Sequence, residues 1–331
     1  MDRIVELGPG ENGWPDGINP VVLPLDPATL RRHGPTAHYA VIRDNQLVAR
    51  CSIWAMATPR YLDRAAGVLG HYAATDAAAG GAVLDHACRQ LGLRGFRWVV
   101  GPMDGNTWRR YRLVTQRGSE PPFFLEPDNP DDWPGHFQAA GFAPISHYFS
   151  ALNDDLSAVD PRVPGALARL NDAGIRIRPI DLVRYEEELS AVHELSIAAF
   201  ADNFLYTPIA REEFLAMYAP LKGYIRRELV LLAEKEGQLV GFMFGLPDVT
   251  QAERGAPIDT AVAKTLAVRP GRTGAGLGSV LLDQFQQSAR QLGYRRVIHA
   301  LMHESNRSMK ISGRTGHCMR QYALYVKEIV A

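Results

Sequence analysis

The stretch Leu266-Ala267-Val268-Arg269-Pro270-Gly271-Arg272-Thr273-Gly274-Ala275-Gly276-Leu277-Gly278-Ser279 holds residue types and spacing suited to binding a phosphate. A short apolar run ends at a proline, a glycine-rich loop follows, and an amphipathic helix begins at once. In such a strand–loop–helix unit the N–H groups point inward and the helix dipole adds roughly half a positive charge. Gly274, Gly276 and Gly278 let the backbone approach a bulky anion without a Cβ in the way. Arg269 and Arg272 supply positive charge beside it. Further along, the strand-like run from Val297 to Asn306 carries two bases. Alternation places His299, Leu301 and His303 on one face. An imidazole titrates near neutrality, so either histidine can take a proton from an ammonium, directly or through water.

The elements that must hold these groups recur along the chain. After the loop, Leu277, Leu281, Phe285 and Ala289 fall on one helix face, with Ser279, Asp283 and Gln287 toward water. Tyr39 to Ala49 and Leu231 to Gly241 both read as apolar strands around a charged turn, each continuing through Gln-Leu-Val. Each is followed by another strand, a Gly/Ala-rich loop and a helix ending in Arg-Gln-Leu-Gly, at Arg89–Gly92 and Arg290–Gly293. A strand comes next (96–100 and 296–302), then a Gly-aromatic element and a final strand (141–152 and 316–329). Four matches in one order indicate an internal duplication. The predicted layout is a first domain over 1–152, a linker over 153–174 marked by Asn153-Asp154-Asp155, Pro161 and Pro164, and a second domain over 175–331. Mixed strands and helices with hairpins predict an α/β (α+β) fold, each domain a mixed, largely antiparallel sheet flanked by helices.

Composition narrows the function classes. The chain has 331 residues, 46% of them hydrophobic, with 36 Lys+Arg against 36 Asp+Glu. A net charge of zero argues against a dedicated nucleic-acid binder or a polybasic membrane anchor. No apolar run approaches the roughly 20 residues of a membrane span, and the charged N-terminus carries no signal-like segment. Cys51, Cys88 and Cys318 are scattered and odd in number, which reads as reduced thiols in a cytoplasmic protein and gives no metal site. No nucleic-acid or membrane partner is expected, and the expected assembly is a monomer or homodimer.

Strand, Val-x-Pro, Gly-x-Gly and helix, in this strand order, resemble the GNAT superfamily of N-acetyltransferases. The likeness covers nearly all of 175–331, and the first half resembles a degenerate second copy, so the whole looks like a tandem GNAT protein. The resemblance implies that the loop binds the pyrophosphate of acetyl-CoA or another acyl-CoA, and that Leu266, Ala267 and Val268 offer backbone groups to the pantetheine and the thioester oxygen. Arg269 and the run Arg272 through Ser279, including Ala275 and Leu277, would complete the cofactor site, with Asn306 holding pantetheine. The family pattern has Arg or Gln where Thr273 stands; Arg272, one residue earlier, is the expected substitute. The first half has no basic residue in its Thr75–Ala82 loop, so only the second half is expected to bind coenzyme A.

Acyl transfer needs a neutral amine, a polarised thioester and a protonated leaving thiolate. Where the family often carries a Glu base this chain has Leu301, which leaves His299 and His303 as candidate bases. Where it often carries a Tyr acid this chain has Gly313, which leaves Tyr322 and Tyr325; their parities are opposite, so at most one faces the cleft. Acceptor contacts are expected from Phe204 and Tyr206, from Trp108, Phe123 and Phe124 in long aromatic loops, and from Asp248 and Glu304. The expected activity is N-acyl transfer, most simply N-acetyl transfer, from coenzyme A to the amine of a small molecule or amino-acid-like acceptor. The alternatives are a donor carried on tRNA or a carrier protein, and a non-catalytic coenzyme A-binding protein.

Overall fold

Turn chemistry closes the two matched hairpins in the same way. Asp44 (φ 49°) and Asn45 (φ 59°) in one, and Glu236 (φ 52°) and Gly237 (φ 75°) in the other, take the left-handed backbone that suits a two-residue turn between twisted strands. The computed structural model describes residues 2–7, 18–158, 160–271, 274–305 and 316–329.

The first half comprises β1 (Arg3–Leu7), β2 (Asn19–Pro20), α1 (Pro27–His33), β3 (Ala37–Arg43), β4 (Gln46–Trp54), the short pair β5 (Arg60–Tyr61) and β6 (Arg64–Ala65), β7 (Gly67–Ala74), α2 (Ala77–Gly92), β8 (Trp98–Gly101), β9 (Leu113–Gln116), α3 (Trp133–Ala139) and β10 (Ala143–Asn153). The second comprises α4 (Val163–Asp172), β11 (Ile175–Pro179), α5 (Tyr185–Ala199), α6 (Arg211–Tyr218), β12 (Val230–Lys235), β13 (Gln238–Pro247), α7 (Thr250–Glu253), β14 (Thr260–Val268), α8 (Leu277–Gln291), β15 (Arg296–His303) and β16 (His317–Glu328). The duplicated plan is thus present: β3–β4–β7–α2–β8–β10 answers β12–β13–β14–α8–β15–β16.

The halves do not keep separate sheets. One sheet runs β1-β3-β4-β7-β8-β16-β10-β15-β14-β13-β12-β11. Each half pairs two strands in parallel, β7 with β8 and β14 with β15. The closing strands are then exchanged: β16 lies on β8 of the first half, β10 lies on β15 of the second, and the two pair antiparallel at the centre. The exchange leaves neither half with an unpaired inner edge.

Helices cover the sheet as their apolar faces require. Leu277, Leu281, Phe285 and Ala289 of α8 are all buried, as the spacing predicted. α5 and α6 cover the other face of the second half through Leu189, Val192, Leu195 and Phe214. The stretch 153–174, expected as a linker, holds helix α4. Its Val163, Ala166 and Leu170 join α8 in one core, so this stretch is part of the second half's packing. Among the described residues, no helix is long and apolar enough to cross a membrane.

Candidate active site

The site begins where two parallel strands part. β14 and β15 pair only from Thr260–Ala263 to Arg296–His299. Beyond that point β14 continues to Val268 on β13, and β15 continues to His303 on β10. Between the pairs Phe149↔Met302 and Ala151↔His299, one residue of β10 faces two of β15. Leu301 absorbs the extra residue at φ 59°, and its N–H donates to Ser150 Oγ at 3.1 Å. This bulge re-aims side chains and breaks the simple alternation expected of His299, Leu301 and His303.

A cavity of about 440 Å³ fills the opening. Its second-half walls are Lys264, Thr265 and Leu266 on β14, the His299–His303 stretch on β15, and Phe200, Phe204 and Tyr206 between α5 and α6. The first half supplies Trp108, Tyr111, Arg112 and Tyr148. The predicted residues His299, His303, Phe204, Tyr206, Trp108 and Leu266 therefore meet in one place. Trp108 is fixed there by its indole N–H, which donates to the Thr207 carbonyl at 2.9 Å.

The anion cradle lies at the far end of β14. Gly276 caps α8 at φ 89°, with no side-chain capping hydrogen bond among the described residues. Leu277 N–H donates to the Gly274 carbonyl at 3.0 Å, so the helix dipole and the N–H groups of Gly278 and Ser279 are what the start of α8 offers a ligand. A Cβ at Gly276 would also come within 3.1 Å of Ala166 Cβ on α4. Ala275 is exposed, while Gly278 and Ser279 are half-buried at the helix start. Arg269 is exposed, with one guanidinium nitrogen donating to the Leu239 carbonyl at 3.1 Å. Ala267 turns the opposite way, into the α5–α6 core. Arg272, Thr273 and Asn306 lie outside the described residues.

The equivalent place in the first half is occupied by the chain itself. Asp76 caps α2, accepting from Ala79 N–H at 2.8 Å and from Arg43 at 2.9 Å. That N–H, with Arg43, holds the Asp76 carboxyl at about 2. Where β7 and β8 part, Met103 N–H donates to Leu69 O at 2.8 Å, and a Cβ at Gly70 would strike the Met103 carbonyl at 2.0 Å. His33 and His71 lie there too, Nδ1 to Nε2 at 2.8 Å, with Asp104 nearby. Burial lowers His33 to about 4 and His71 to about 2, so both are neutral. These three residues are close enough to share a metal, but the rings are at hydrogen-bond distance, and Arg50 and Arg109 add positive charge beside them. A paired substitution separates the two helix starts. Asp76→Ala should cost about 1 kcal/mol of stability and leave acetyl-CoA affinity unchanged in titration calorimetry. Gly276→Val should cost about 1–2 kcal/mol at its left-handed position and weaken acetyl-CoA binding about tenfold or more.

Three bases line the cavity, and their surroundings differ. His299 is 3% exposed; Nε2 lies 3.0 Å from the Gln286 amide nitrogen, and Nδ1 has no partner. Burial pushes it down to about 4. His303 is tied at both nitrogens, to Ser146 Oγ at 2.8 Å and to Ser305 Oγ at 2.7 Å; its Nδ1 also accepts the Ser305 N–H at 3.1 Å. Burial lowers it as well. Lys264 is the first β14 residue past the parallel pairing. Its Nζ makes one long hydrogen bond, 3.4 Å to the Leu125 carbonyl. Burial, then the Arg112 charge, lowers it to about 8.

Other expected residues lie elsewhere. Tyr322 is buried, its hydroxyl bonded to Ser150 Oγ at 2.9 Å and to Glu126. Tyr325 packs against Phe137 in the first-half core. Neither lines the cavity, because β16 has been exchanged into the centre of the sheet. Phe123 is buried beside Leu152, Val262 and Ile298. The Phe124 ring lies 5.3 Å from that of Tyr224, tilted by 57°, and the Phe124 N–H donates to Asp248 Oδ1 at 2.8 Å. Asp248 is itself buried and also accepts from Thr250 at 2.6 Å, so it fixes loops. Glu304 is exposed just beyond His303 and accepts the His147 N–H at 3.0 Å. Lys264 was not singled out from the sequence, although it is legible as the lone charge in the apolar run Thr260–Val268. The basic cluster Arg109-Arg110-Tyr111-Arg112 reads in the sequence as a solvated face or as a contact for an anionic substrate; of its arginines, Arg112 lines the cavity.

Comparison with known proteins agrees with this geometry. The Acetyltransferase (GNAT) family model matches residues 191–310. A protein named bacterial ceramide synthase, from Caulobacter vibrioides, is 27% identical over 56% of this chain and 49% of its own length. Protein YghO of Escherichia coli is 23% identical over 46% of this chain and 40% of its own. The matches thus span less than half of either curated relative. Among solved structures, a tandem GNAT protein from the clavulanic acid biosynthesis pathway superposes with a TM-score of 0.52, 13% identity and coverage of 99% of this chain and 98% of its own. A GCN5-related N-acetyltransferase from Sphaerobacter thermophilus gives 0.51, with 15% identity over 89% of this chain and 81% of its own. Residues 191–310 thus match the GNAT acetyltransferase family, and the chain as a whole shares its fold with a tandem GNAT protein.

Proposed function

We propose that this protein transfers an acyl group, in the simplest case acetyl, from coenzyme A to the amine of a small-molecule or amino-acid-like acceptor. The observation that carries this is the contrast between the two helix starts. α8 presents an uncapped N-terminus at the end of a strand that parts from its neighbour, whereas α2 is capped by Asp76 and its notch is filled. The pyrophosphate belongs at Gly274–Gly278, with Arg269 just past the strand that leads into it; Arg272 and Asn306, outside the described residues, are the further candidates for pyrophosphate and pantetheine. The pantetheine runs back along Val268–Leu266, which brings the thioester toward Lys264, where the strands separate. There the β14 edge past Ala263 has no ladder partner on β15, so its backbone can meet the pantetheine and the thioester oxygen. The acceptor enters past Phe204, Tyr206 and Trp108.

Lys264 is the proton acceptor in this reading. A group titrating near the working pH combines a useful unprotonated fraction with adequate basicity. His299, held neutral down to about 4, is too weak a base for an ammonium, and His303 has both nitrogens engaged. The test is calorimetric titration with acetyl-CoA, followed by a free-thiol release assay over a panel of amines. The panel includes a long-chain amino alcohol, suggested by the name of the ceramide synthase relative. Saturable binding weakened about tenfold or more in Gly276→Val, together with amine-dependent thiol release, is expected. Absence of coenzyme A binding would refute the reading, and binding without turnover on any amine would leave a coenzyme A-binding protein.

A further inference from the structure

Arg112 is a cation built into the cavity wall without an anion to meet it. It is 6% exposed and sits at φ 71°, a costly backbone for a long side chain. Its guanidinium carbon lies 3.9 Å from the Tyr111 ring centre and 4.0 Å from that of Tyr148. Those rings stand nearly perpendicular, at 87°, and form a corner around it. One nitrogen donates to the Leu301 carbonyl at a long 3.3 Å, and Nε, fully buried, has no partner among the described residues. Among the described residues no carboxylate pairs with Arg112, whereas Arg109 pairs with Glu213 at 2.5 Å. Burying an arginine is costly unless it is paired. Two aromatic faces offset part of that cost, but a ring face takes up none of the fork's in-plane N–H donors.

The cavity's charge points the same way. Its lining carries two fixed or titrating cations, Arg112 and Lys264, and a single carboxylate, Asp202, which is exposed. The anion that fits Arg112 is not the coenzyme A pyrophosphate. From Lys264 to Val268 the strand covers roughly 13 Å, and the glycine cradle lies beyond Val268. Arg112 is held instead against the Leu301 carbonyl, on the opposite side of the opening.

We propose that Arg112 binds a carboxylate carried by the acyl acceptor, so that the substrate is an amino acid whose amine is held toward Lys264 while its carboxylate meets the guanidinium fork. This rests on the acyltransferase reading for the reaction, but the recognition itself is read by binding alone. Full-length protein is titrated with each common L-amino acid and with the matching L-amino-acid amide, following tyrosine and tryptophan fluorescence, with and without acetyl-CoA. For the best-bound amino acid, the acid should bind at least about tenfold more tightly than its amide. Arg112→Met should bring that ratio to near one, and Arg112→Lys should restore part of it. If acetyl transfer is observed, Arg112→Met should raise KM for the acid and, by removing a positive charge beside Lys264, move the breakpoint of the pH profile upward.

The acid–amide comparison needs no variant, so a misfolded Arg112→Met cannot obscure the result. Equal binding of acids and amides overturns the proposal, as does binding of neither. A third outcome also overturns it: a preference for succinyl-CoA over acetyl-CoA with neutral amines, lost in Arg112→Met, would place the carboxylate on the acyl group. Failure of the acyltransferase reading looks different, since acetyl-CoA would then not bind while the acid–amide ratio persisted.

Discussion

Lys264→Met should lower the rate of acyl transfer by about 10²–10⁴-fold while acetyl-CoA still binds. The lysine lies where β14 leaves β15, and Met fills nearly the same volume without a proton-accepting nitrogen. Burial, with the nearby Arg112 charge, disfavours the ammonium, while Glu126 opposes them. The amine is the active form, so the sign is clear: below about 8 the lysine is protonated and the rate rises with pH, and above it the rate levels off. Removing Lys264 should remove that breakpoint from the kcat/KM profile. His299→Ala and His303→Ala should cost less and leave the breakpoint in place. If Lys264→Met keeps the wild-type rate and profile while one histidine variant loses both, the proton goes to the histidine.

Arg320→Ala should destabilise the fold by about 3–5 kcal/mol. The Arg320 and Glu126 side chains are 0% and 1% exposed, with Nε donating to Oε1 at 2.8 Å. The remaining guanidinium nitrogens donate to the Arg117 carbonyl and to those of Glu120 and Pro121, the last two at 2.9 and 3.0 Å. The Glu126 carboxylate also accepts from the Tyr322 hydroxyl and from Phe123 N–H, the latter at 3.1 Å. Truncation leaves a buried carboxylate and three carbonyls unpaired at once. Lysine has no planar fork to meet four acceptors, so Arg320→Lys should recover only part of the loss. Urea denaturation is the measurement; a change below about 1 kcal/mol, the range of an exposed ion pair, would contradict the account. The same loop places the Leu125 carbonyl against Lys264, so the Arg320 variant should also disturb the pH profile.

Tyr322 shows where the sequence misleads. A tyrosine on the last strand is a natural stand-in for a missing acid as long as that strand is assumed to edge the second half's own cleft. Strand β16 instead lies between β8 and β10. Apolar alternation states that a stretch is a buried strand but not which neighbour takes it, because both central ladders satisfy the same backbone groups. Phe123 and Asp248 misled for a related reason. Long aromatic loops read equally as substrate walls or as packing, and here Phe123 packs the core while Asp248 holds the backbone of Phe124.

The local physics was legible along the chain. Hairpin turns, the buried face of α8, the glycine at the start of α8 and the duplication all depend on residues near one another in sequence, where spacing and backbone preference act directly. Tertiary structure decided what depends on distant partners: the exchange of β10 and β16, the filling of the first half's notch, and the convergence of Arg112 from one half with Lys264 from the other. Those contacts join residues far apart in the chain, Leu69 with Met103 in the notch and Gly101 with Tyr325 across the exchanged strands. The charge of each group is set by what surrounds it after folding, so no reading of its sequence neighbours yields it.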